Sequence, residues 1–340
     1  MSKAIAELNL LHQKHFGCEI EEIEQLPQSG SYRQYFRIKH KNETLLGVYN
    51  TDLQENRAYL SFSKTFENAG IQVPKIYIVS ADEMAYLVQD LGQLALWDIV
   101  RPDILEDGRL SENSVVLYKK TLSELIKIQT RTIEKLDLSY CYPRDAFDMQ
   151  SMLWDLYYFK YMFLRVLRVS FDEQLLENDI QKLASNLDKV DRNYFLFRDF
   201  QSRNVMISKD EPFFIDFQGG RKGAIYYDLA SIIYDANVEL PSEDRDALVG
   251  YYYQCWNEIA PTDRAEFLSL FNQFAIIRLT QALGAFGLRG VIEKKPHFKE
   301  CIPFALASLS AILENFKDDY PELYKCIYQA NNSDFIKSVN

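Results

Sequence analysis

The sequence predicts an α+β protein of two lobes, with a small mixed N-terminal lobe that contains an antiparallel sheet and a larger, mainly helical C-terminal lobe. Two observations predict this class. Up to residue 91, short apolar runs bounded by turn residues surround a single internal helical segment, whereas residues 92–340 show mostly helical periodicity. Within the helical part, one region around residues 194–228 returns to short strands. We therefore expect lobes of residues 1–91 and 92–340 that share one cleft.

The elements of the first lobe follow from local patterns. Residues 2–16 are predicted to be a helix that ends at Gly17, with one apolar face and with His12 and His15 in contact with solvent. Residues 52–69 form a second predicted helix, which Gly70 ends. Alternating apolar residues predict five strands, at residues 20–26, 35–39, 44–49, 75–79 and 85–89.

Composition limits the class of function. The 340 residues are 47% hydrophobic and 26% charged, which is typical of a globular protein, and the net charge is −11. The negative net charge argues against a nucleic-acid-binding surface, because phosphate backbones attract basic surfaces. The five cysteines contain no CxxC pair, and the four histidines show no metal-ligand spacing. We therefore expect neither a disulfide framework nor a zinc site.

Targeting signals are not evident. The N-terminal residues lack a basic segment followed by an apolar core and a small-residue cleavage site. The sequence contains no uninterrupted run of eighteen apolar residues, so we expect no membrane-spanning helix. A cytoplasmic protein without a membrane partner is the resulting prediction.

Three polar residues follow or precede short apolar runs in the region of residues 194–228. The run YFLF comes before Asp199, VMI follows Asn204, and FFI comes before Asp216. A turn at residues 208–211 predicts a hairpin that brings these three polar side chains to one edge. An amide and carboxylates at one edge suit a hard divalent cation with phosphate ligands, and the remaining carboxylate can orient a hydroxyl.

The ordered set of segments resembles a known family. Residues 197–206 read FRDFQSRNVM, residues 215–218 read IDFQ, and residues 227–232 read YDLASI. These resemble the catalytic loop and metal motif of the protein-kinase-like bilobal fold. Within it, they are most similar to the aminoglycoside phosphotransferase and choline kinase superfamily, in particular to bacterial N-acetylmuramate and N-acetylglucosamine kinases. The resemblance implies a phosphotransferase that uses ATP and Mg²⁺ and acts on the hydroxyl of a small molecule, with a sugar as the expected acceptor.

The resemblance also implies roles for individual residues. Asp199 would orient the acceptor hydroxyl, and Arg203 would neutralise charge on the transferring phosphoryl group or hold Asp199. Asn204 and Asp216 would hold Mg²⁺, while Asp228 would support the catalytic loop from below. Phe197 stands where the family usually has a histidine, so the ring can fill the space but loses a hydrogen bond.

The nucleotide site is predicted in the N-terminal lobe. A phosphate-covering loop is expected between the first two strands, and a hinge that binds adenine through its backbone is expected after the last; together they include Ser29, Gly30, Ser31, Arg33, Gln89 and Leu91. The third strand ends in Tyr49 and Asn50 without the lysine that kinases usually place there. Arg33 or Arg37 would then meet the phosphate charge, and Glu55 is the nearest match to the usual helix glutamate.

The acceptor site is less defined by the sequence. Asp155 and Gln281 are polar residues on otherwise apolar predicted helices, and we expect them to bind sugar hydroxyls. Choline, an aminoglycoside, homoserine or a protein are alternative acceptors within the same fold. A nucleotide-binding pseudokinase scaffold is the alternative of a different class, favoured by the missing lysine and histidine and opposed by Asp199, Asn204 and Asp216.

Overall fold

The computed structural model describes residues 2–27 and 33–333. Its N-terminal part is a five-stranded antiparallel sheet with the strand order β1-β2-β3-β5-β4. Two helices flank the sheet, α1 (Lys3–Phe16) and α2 (Leu53–Asn68). The strands are β1 (Glu22–Gln25), β2 (Gln34–His40), β3 (Glu43–Tyr49), β4 (Ile76–Val79) and β5 (Ala85–Gln89). All seven predicted elements of this part are present, with ends shifted by at most a few residues.

The two helices cover opposite faces of the sheet because side chains alternate along each strand. Helix α1 packs Leu8 and Leu11 against one face, in a cluster that includes Phe36, Tyr49 and Leu87. Helix α2 packs on the other face, which carries Val48, Tyr86 and Val88 and continues into the main core. The second face is the one that borders the cleft.

Helix α1 differs from its prediction at one position. His12 was expected to contact solvent, but its side chain is only 1% exposed and lies beside His40 at the end of β2. The helix is amphipathic, as predicted, and it ends at Gly17, which has a positive φ of 75°. His12 falls on the buried side because that helical face turns toward the β2–β3 turn.

The remaining chain is mainly helical. Ten helices follow the first lobe in the described residues: α3 (Leu96–Asp107), α4 (Glu112–Arg131), α5 (Met149–Phe159), α6 (Glu173–Leu187), α7 (Tyr226–Ile233), α8 (Ser242–Ile259), α9 (Arg264–Phe286), α10 (Pro296–Glu300), α11 (Ile302–Glu314) and α12 (Pro321–Asn331). One large core of buried aliphatic and aromatic side chains joins these helices to α2. The small-lobe, large-lobe architecture is therefore the one predicted.

Four short strands interrupt the helices, namely β6 (Tyr194–Leu196), β7 (Val205–Ser208), β8 (Glu211–Phe214) and β9 (Arg221–Gly223). Strands β7 and β8 form the predicted hairpin. Strand β6 pairs with β9 in a separate two-stranded sheet. The segment between β6 and β7 is therefore a loop held between two small sheets.

One helical segment, Arg264–Ile292, is long and apolar enough to cross a membrane by length and composition alone. Within the fold, 61% of its most apolar window is buried. Its helix α9 packs against α5, α7 and α11, so its apolar character is that of a central core helix.

Candidate active site

The loop between β6 and β7 is anchored from below by Asp228, near the start of α7. The buried Asp228 carboxylate accepts hydrogen bonds from the backbone N–H groups of Phe197 at 2.6 Å and Arg198 at 3.0 Å. Burial raises the pKa of Asp228 to about 7, although the two backbone donors act in the opposite direction. This arrangement fixes the backbone immediately before Asp199.

Asp199 lies at the exposed edge of this loop. Its backbone carbonyl accepts hydrogen bonds from the Asn204 side chain at 2.8 Å and from the Gln201 N–H at 2.9 Å. Within residues 2–27 and 33–333, its carboxylate has no hydrogen-bond donor. The backbone of Asp199 is thus held firmly while its side chain is available to an incoming hydroxyl group.

Asn204 and Asp216 lie at the two ends of the β7–β8 hairpin and face each other. Asn204 is buried in a single 3₁₀ turn, and its Nδ2 lies 3.4 Å from Oδ2 of Asp216. Asp216 adopts a positive φ of 68°, which turns its side chain back toward the loop. Burial of the carboxyl group raises the pKa of Asp216, and the nearby negative charge of Asp199 raises it further. A divalent cation fits this edge, because its charge would relieve the repulsion between the carboxylates of Asp199 and Asp216.

Gln218 connects this edge to the N-terminal lobe, a role that sequence reasoning missed. Its Nε2 donates to Oδ1 of Asp216 at 2.8 Å and lies 3.3 Å from Oε1 of Glu55 on α2. Gln218 stands where protein kinases have glycine, and this difference is visible in the sequence. Its contact with Glu55 could not be predicted, because the two residues are 163 positions apart. One amide group therefore joins α2 to a candidate metal ligand.

Arg33 supplies the buried cation that β3 lacks. Its Nη2 lies 2.8 Å from Oε1 of Glu55, and its Nη1 donates to the Tyr35 hydroxyl at 3.0 Å. Asn50, just after β3, donates to the other oxygen of Glu55 at 2.7 Å. Tyr49 instead points to the face covered by α1. Of the two arginines expected to meet the phosphate charge, Arg33 is therefore the one that pairs with Glu55, and Asn50 at the end of β3 holds the other oxygen of this carboxylate.

Aromatic packing connects the metal motif with both lobes. Phe217 stacks on Tyr59 of α2, with ring centroids 5.2 Å apart and an interplanar angle of 9°. Phe197 is fully buried and contacts Phe217 and Phe200 edge to face, at 6.1 and 5.2 Å. Phe197 thus occupies the position where the family usually has histidine, and it is held there by aromatic packing instead of a hydrogen bond.

Asp155, the first predicted acceptor residue, is paired with the catalytic loop. Both of its carboxylate oxygens accept hydrogen bonds from Arg198, at 2.7 and 2.6 Å, and only 6% of the residue is exposed. Arg198 also donates to the Tyr227 hydroxyl at 2.7 Å. Because this buried bidentate pair holds both carboxylate oxygens, we propose that Asp155 positions Arg198, the residue before Asp199, and not the acceptor as expected from the sequence.

Arg203 and Gln281 are the two remaining predicted residues of the catalytic and acceptor sites. Arg203 is exposed and lies near enough to Asp216 to lower the pKa of that carboxyl group, against the effect of burial. Gln281 is half-buried on α9, and its side-chain oxygen accepts a hydrogen bond from Arg278 at 2.9 Å. Its amide nitrogen has no acceptor within the described residues.

The predicted hinge lies at the end of β5. The backbone N–H of Gln89 donates to the Lys75 carbonyl at 2.8 Å, and Leu91 is half-buried. Between them, Asp90 pairs with Arg37 of β2 at 2.7 Å. Ser29, Gly30 and Ser31 of the expected phosphate-covering loop lie outside the described residues.

Comparison with known proteins decides the family. The family model described as "Phosphotransferase enzyme family" matches residues 22–265. The chain belongs to this family. It is a small-molecule phosphotransferase with a kinase-like fold, which confirms the resemblance inferred from the catalytic-loop segments.

Curated relatives are similar over most of the chain. An N-acetylmuramate/N-acetylglucosamine kinase of Pseudomonas aeruginosa is 26% identical over 294 residues, which cover 84% of this chain and 82% of the relative. The protein of the same name from Neisseria meningitidis serogroup B is 23% identical over 299 residues, 85% of each chain.

Solved structures share the fold at lower identity. An ethanolamine kinase of Plasmodium vivax superposes with a TM-score of 0.57 at 17% identity, covering 88% of this chain and 84% of the other. A thermostable aminoglycoside phosphotransferase in a ternary complex with ADP and hygromycin B gives a TM-score of 0.56 at 13% identity, covering 92% and 98%. These two structures support the protein-kinase-like bilobal fold that the sequence predicted.

Proposed function

We propose that this phosphotransferase uses ATP and Mg²⁺ to phosphorylate a hydroxyl of a sugar of the N-acetylmuramate or N-acetylglucosamine type. The observation that carries this proposal is the convergence of Asp199, Asn204 and Asp216 at one edge, linked through Gln218 to the Arg33–Glu55 pair of the other lobe. Phosphoryl transfer needs positioning and charge neutralisation more than strong base chemistry, and this edge offers both.

The nucleotide binds in the cleft beneath the sheet, with its adenine at the backbone of Gln89 and Leu91. Its phosphates lie toward Arg33, whose guanidinium Glu55 orients from α2. A structurally similar aminoglycoside phosphotransferase is in complex with ADP, which supports a nucleotide as one ligand of this fold. A buried, oriented arginine also removes the main reason to prefer a scaffold without catalysis, because the phosphate charge has a counterion.

Asn204 and Asp216 hold the cation. When bound, Mg²⁺ supplies charge neutralisation at the terminal phosphates. The protein's part is to keep the two ligands together: the hairpin sets their spacing, the positive φ of Asp216 aims its carboxylate, and Gln218 fixes one of its oxygens. Asn204 also donates to the Asp199 carbonyl, so the cation site and the acceptor-orienting residue share one rigid turn.

Asp199 accepts the hydrogen bond of the acceptor hydroxyl and directs its oxygen toward the terminal phosphate. Its backbone is fixed from below by Asp228 through the preceding residues, and from the side by the Asp155–Arg198 pair. Arg203, which is exposed at the same edge, neutralises charge on the group being transferred. Together these contacts hold the reacting oxygen and phosphorus near each other, which is the main source of rate in such reactions.

A sugar acceptor rests on the curated relatives, which share that name at 23–26% identity over most of their length. Gln281 is the best candidate for a sugar contact, because its amide nitrogen is available to a hydroxyl or N-acetyl oxygen. The test is an acceptor panel in which ADP release is measured with N-acetylmuramate, N-acetylglucosamine, choline, ethanolamine, homoserine and hygromycin B. The proposal requires the two amino sugars to give the highest kcat/KM, and preferential use of an amine-bearing alcohol or an antibiotic would reject it.

A further inference from the structure

Three potential metal ligands meet on the face of the sheet opposite the cleft. His12 near the end of α1, Cys18 in the loop that follows it, and His40 at the end of β2 place their ligand atoms within 4.8 Å of one another. His12 is buried, His40 is half-buried and Cys18 is exposed. We propose that these three residues form a zinc site that clamps α1 to the sheet.

The hydrogen bonds of His12 orient its lone pair for this purpose. Its Nδ1 lies 2.9 Å from the Cys18 backbone carbonyl, and a carbonyl can only accept, so Nδ1 carries the ring hydrogen. In the neutral ring, Nε2 is therefore the basic atom, and it points at Nδ1 of His40 from 3.1 Å. A backbone carbonyl that holds the other nitrogen is the usual support of a zinc-bound imidazole.

The spacing suits tetrahedral zinc. Two imidazole nitrogens bound at about 2.0–2.1 Å in tetrahedral geometry lie roughly 3.3 Å apart, close to the 3.1 Å between His12 and His40. The Cys18 sulfur lies within 4.8 Å of both nitrogens, and a zinc-bound sulfur lies roughly 3.6 Å from a bound nitrogen, so a shift of at most about 1.2 Å completes the set. Cys18 is exposed and follows Gly17, so its side chain can make this movement.

Thiolate and imidazole ligands select zinc over the hard cation of the active site. On binding, the Cys18 thiol releases its proton to solvent, His40 takes the tautomer with hydrogen on Nε2, and water occupies the fourth position. The chain spacing gives no sign of the site, because His12 and His40 are 28 positions apart and meet only when α1 packs on the sheet. His12 and Cys18 also precede residue 22, where the family match begins, so family membership does not account for the site.

The test uses the full chain, stripped with a chelator and titrated with Co²⁺ and then Zn²⁺ in excess Mg²⁺. One equivalent of Co²⁺ should give visible bands of tetrahedral cobalt together with a near-ultraviolet thiolate-to-cobalt band, which carboxylates cannot produce. Zn²⁺ should displace the Co²⁺ and raise the melting temperature by at least about 3 °C, because it binds only the folded state.

Single-residue variants test whether Cys18 and His40, and not other side chains, bind the metal. Cys18→Ser, at an exposed position, should abolish the thiolate band and weaken Zn²⁺ binding at least tenfold, and His40→Gln should weaken Zn²⁺ binding to a similar extent. The matched controls His15→Gln, on the same helix, and Cys141→Ser should retain both properties. Absence of the band in the wild-type chain, or its persistence in Cys18→Ser, would overturn the proposal. Neither result depends on phosphotransferase activity.

Discussion

Replacement of Arg33 by alanine should weaken ATP binding far more than it slows phosphoryl transfer. The Arg33 side chain is only 4% exposed, is held by Glu55 at 2.8 Å, and lies near enough to Asp216 to lower the pKa of that carboxyl group. It is therefore a preoriented cation beside the candidate metal site. Its loss removes a contact made equally to bound ATP and to the transition state, which raises KM and leaves kcat nearly unchanged.

The size of the effect follows from the type of contact. A hydrogen bond to a charged group contributes about 1.5–3 kcal/mol of binding free energy. Each ~1.4 kcal/mol of that free energy corresponds to a tenfold change in the dissociation constant. The KM for ATP should therefore rise by roughly 10- to 100-fold, with kcat reduced by less than about threefold. ATP should also bind only weakly when Mg²⁺ is omitted, because Arg33 then counters the triphosphate charge without the cation held by Asn204 and Asp216.

The assay is steady-state ADP release over a range of ATP concentrations, combined with calorimetry of ATP binding with and without Mg²⁺. Arg57→Ala is the matched control, because Arg57 lies in the same lobe but pairs with Glu83 at the surface. A melting curve for each variant detects loss of folding. An unchanged KM for ATP in Arg33→Ala, or tight binding of ATP without Mg²⁺ whether or not Arg33 is present, would show that Arg33 does not bind the phosphates.

The other predictions concern single carboxylates. Asp199→Asn should lower kcat by roughly 10²–10⁴ with ATP affinity retained; loss of ATP binding in calorimetry would assign Asp199 to the metal site. Asp216→Ala should abolish turnover in a folded protein, because a ligand to the phosphate-bound cation is lost; near-normal kcat at saturating Mg²⁺ would contradict it. Asp155→Asn should lower kcat and cost about 3–5 kcal/mol of stability by leaving Arg198 unpaired; a change confined to the KM of the sugar would restore the acceptor role. Asp228 has a folded-state pKa near 7, above its unfolded value, so unfolding free energy should fall from about pH 4 to 7 relative to Asp228→Asn; parallel pH curves for the two proteins would contradict this.

The elements of the fold that depend on neighbouring residues could be predicted from the sequence. Strand alternation, the helix ends at Gly17 and Gly70, and the β7–β8 hairpin are all specified by neighbouring residues, and each is present in the structure. The catalytic-loop segments could be recognised because Asp199, Asn204 and Asp216 lie within eighteen positions of one another. Short-range chemistry was therefore enough to predict both the two-lobed fold and the edge that carries these three residues.

Contacts between distant segments could not be predicted in the same way. Arg33 and Glu55 were both noted, but only the packing of α2 on the cleft face of the sheet brings them together. Asp155 looked like a free polar group on an apolar helix, whereas its partner Arg198 comes from a loop 43 positions away. His12 was misplaced for the same reason, since helical periodicity gives a face but does not say which element covers it.

The decisive measurement is transfer of the terminal phosphate of ATP to N-acetylmuramate or N-acetylglucosamine, detected as the sugar phosphate by mass spectrometry. The wild-type chain with Mg²⁺ should form sugar phosphate and ADP in equal amounts. No product should form when Mg²⁺ is withheld or when the Asp216→Ala variant is used. Folded wild-type protein that binds ATP but phosphorylates neither sugar would contradict the claim.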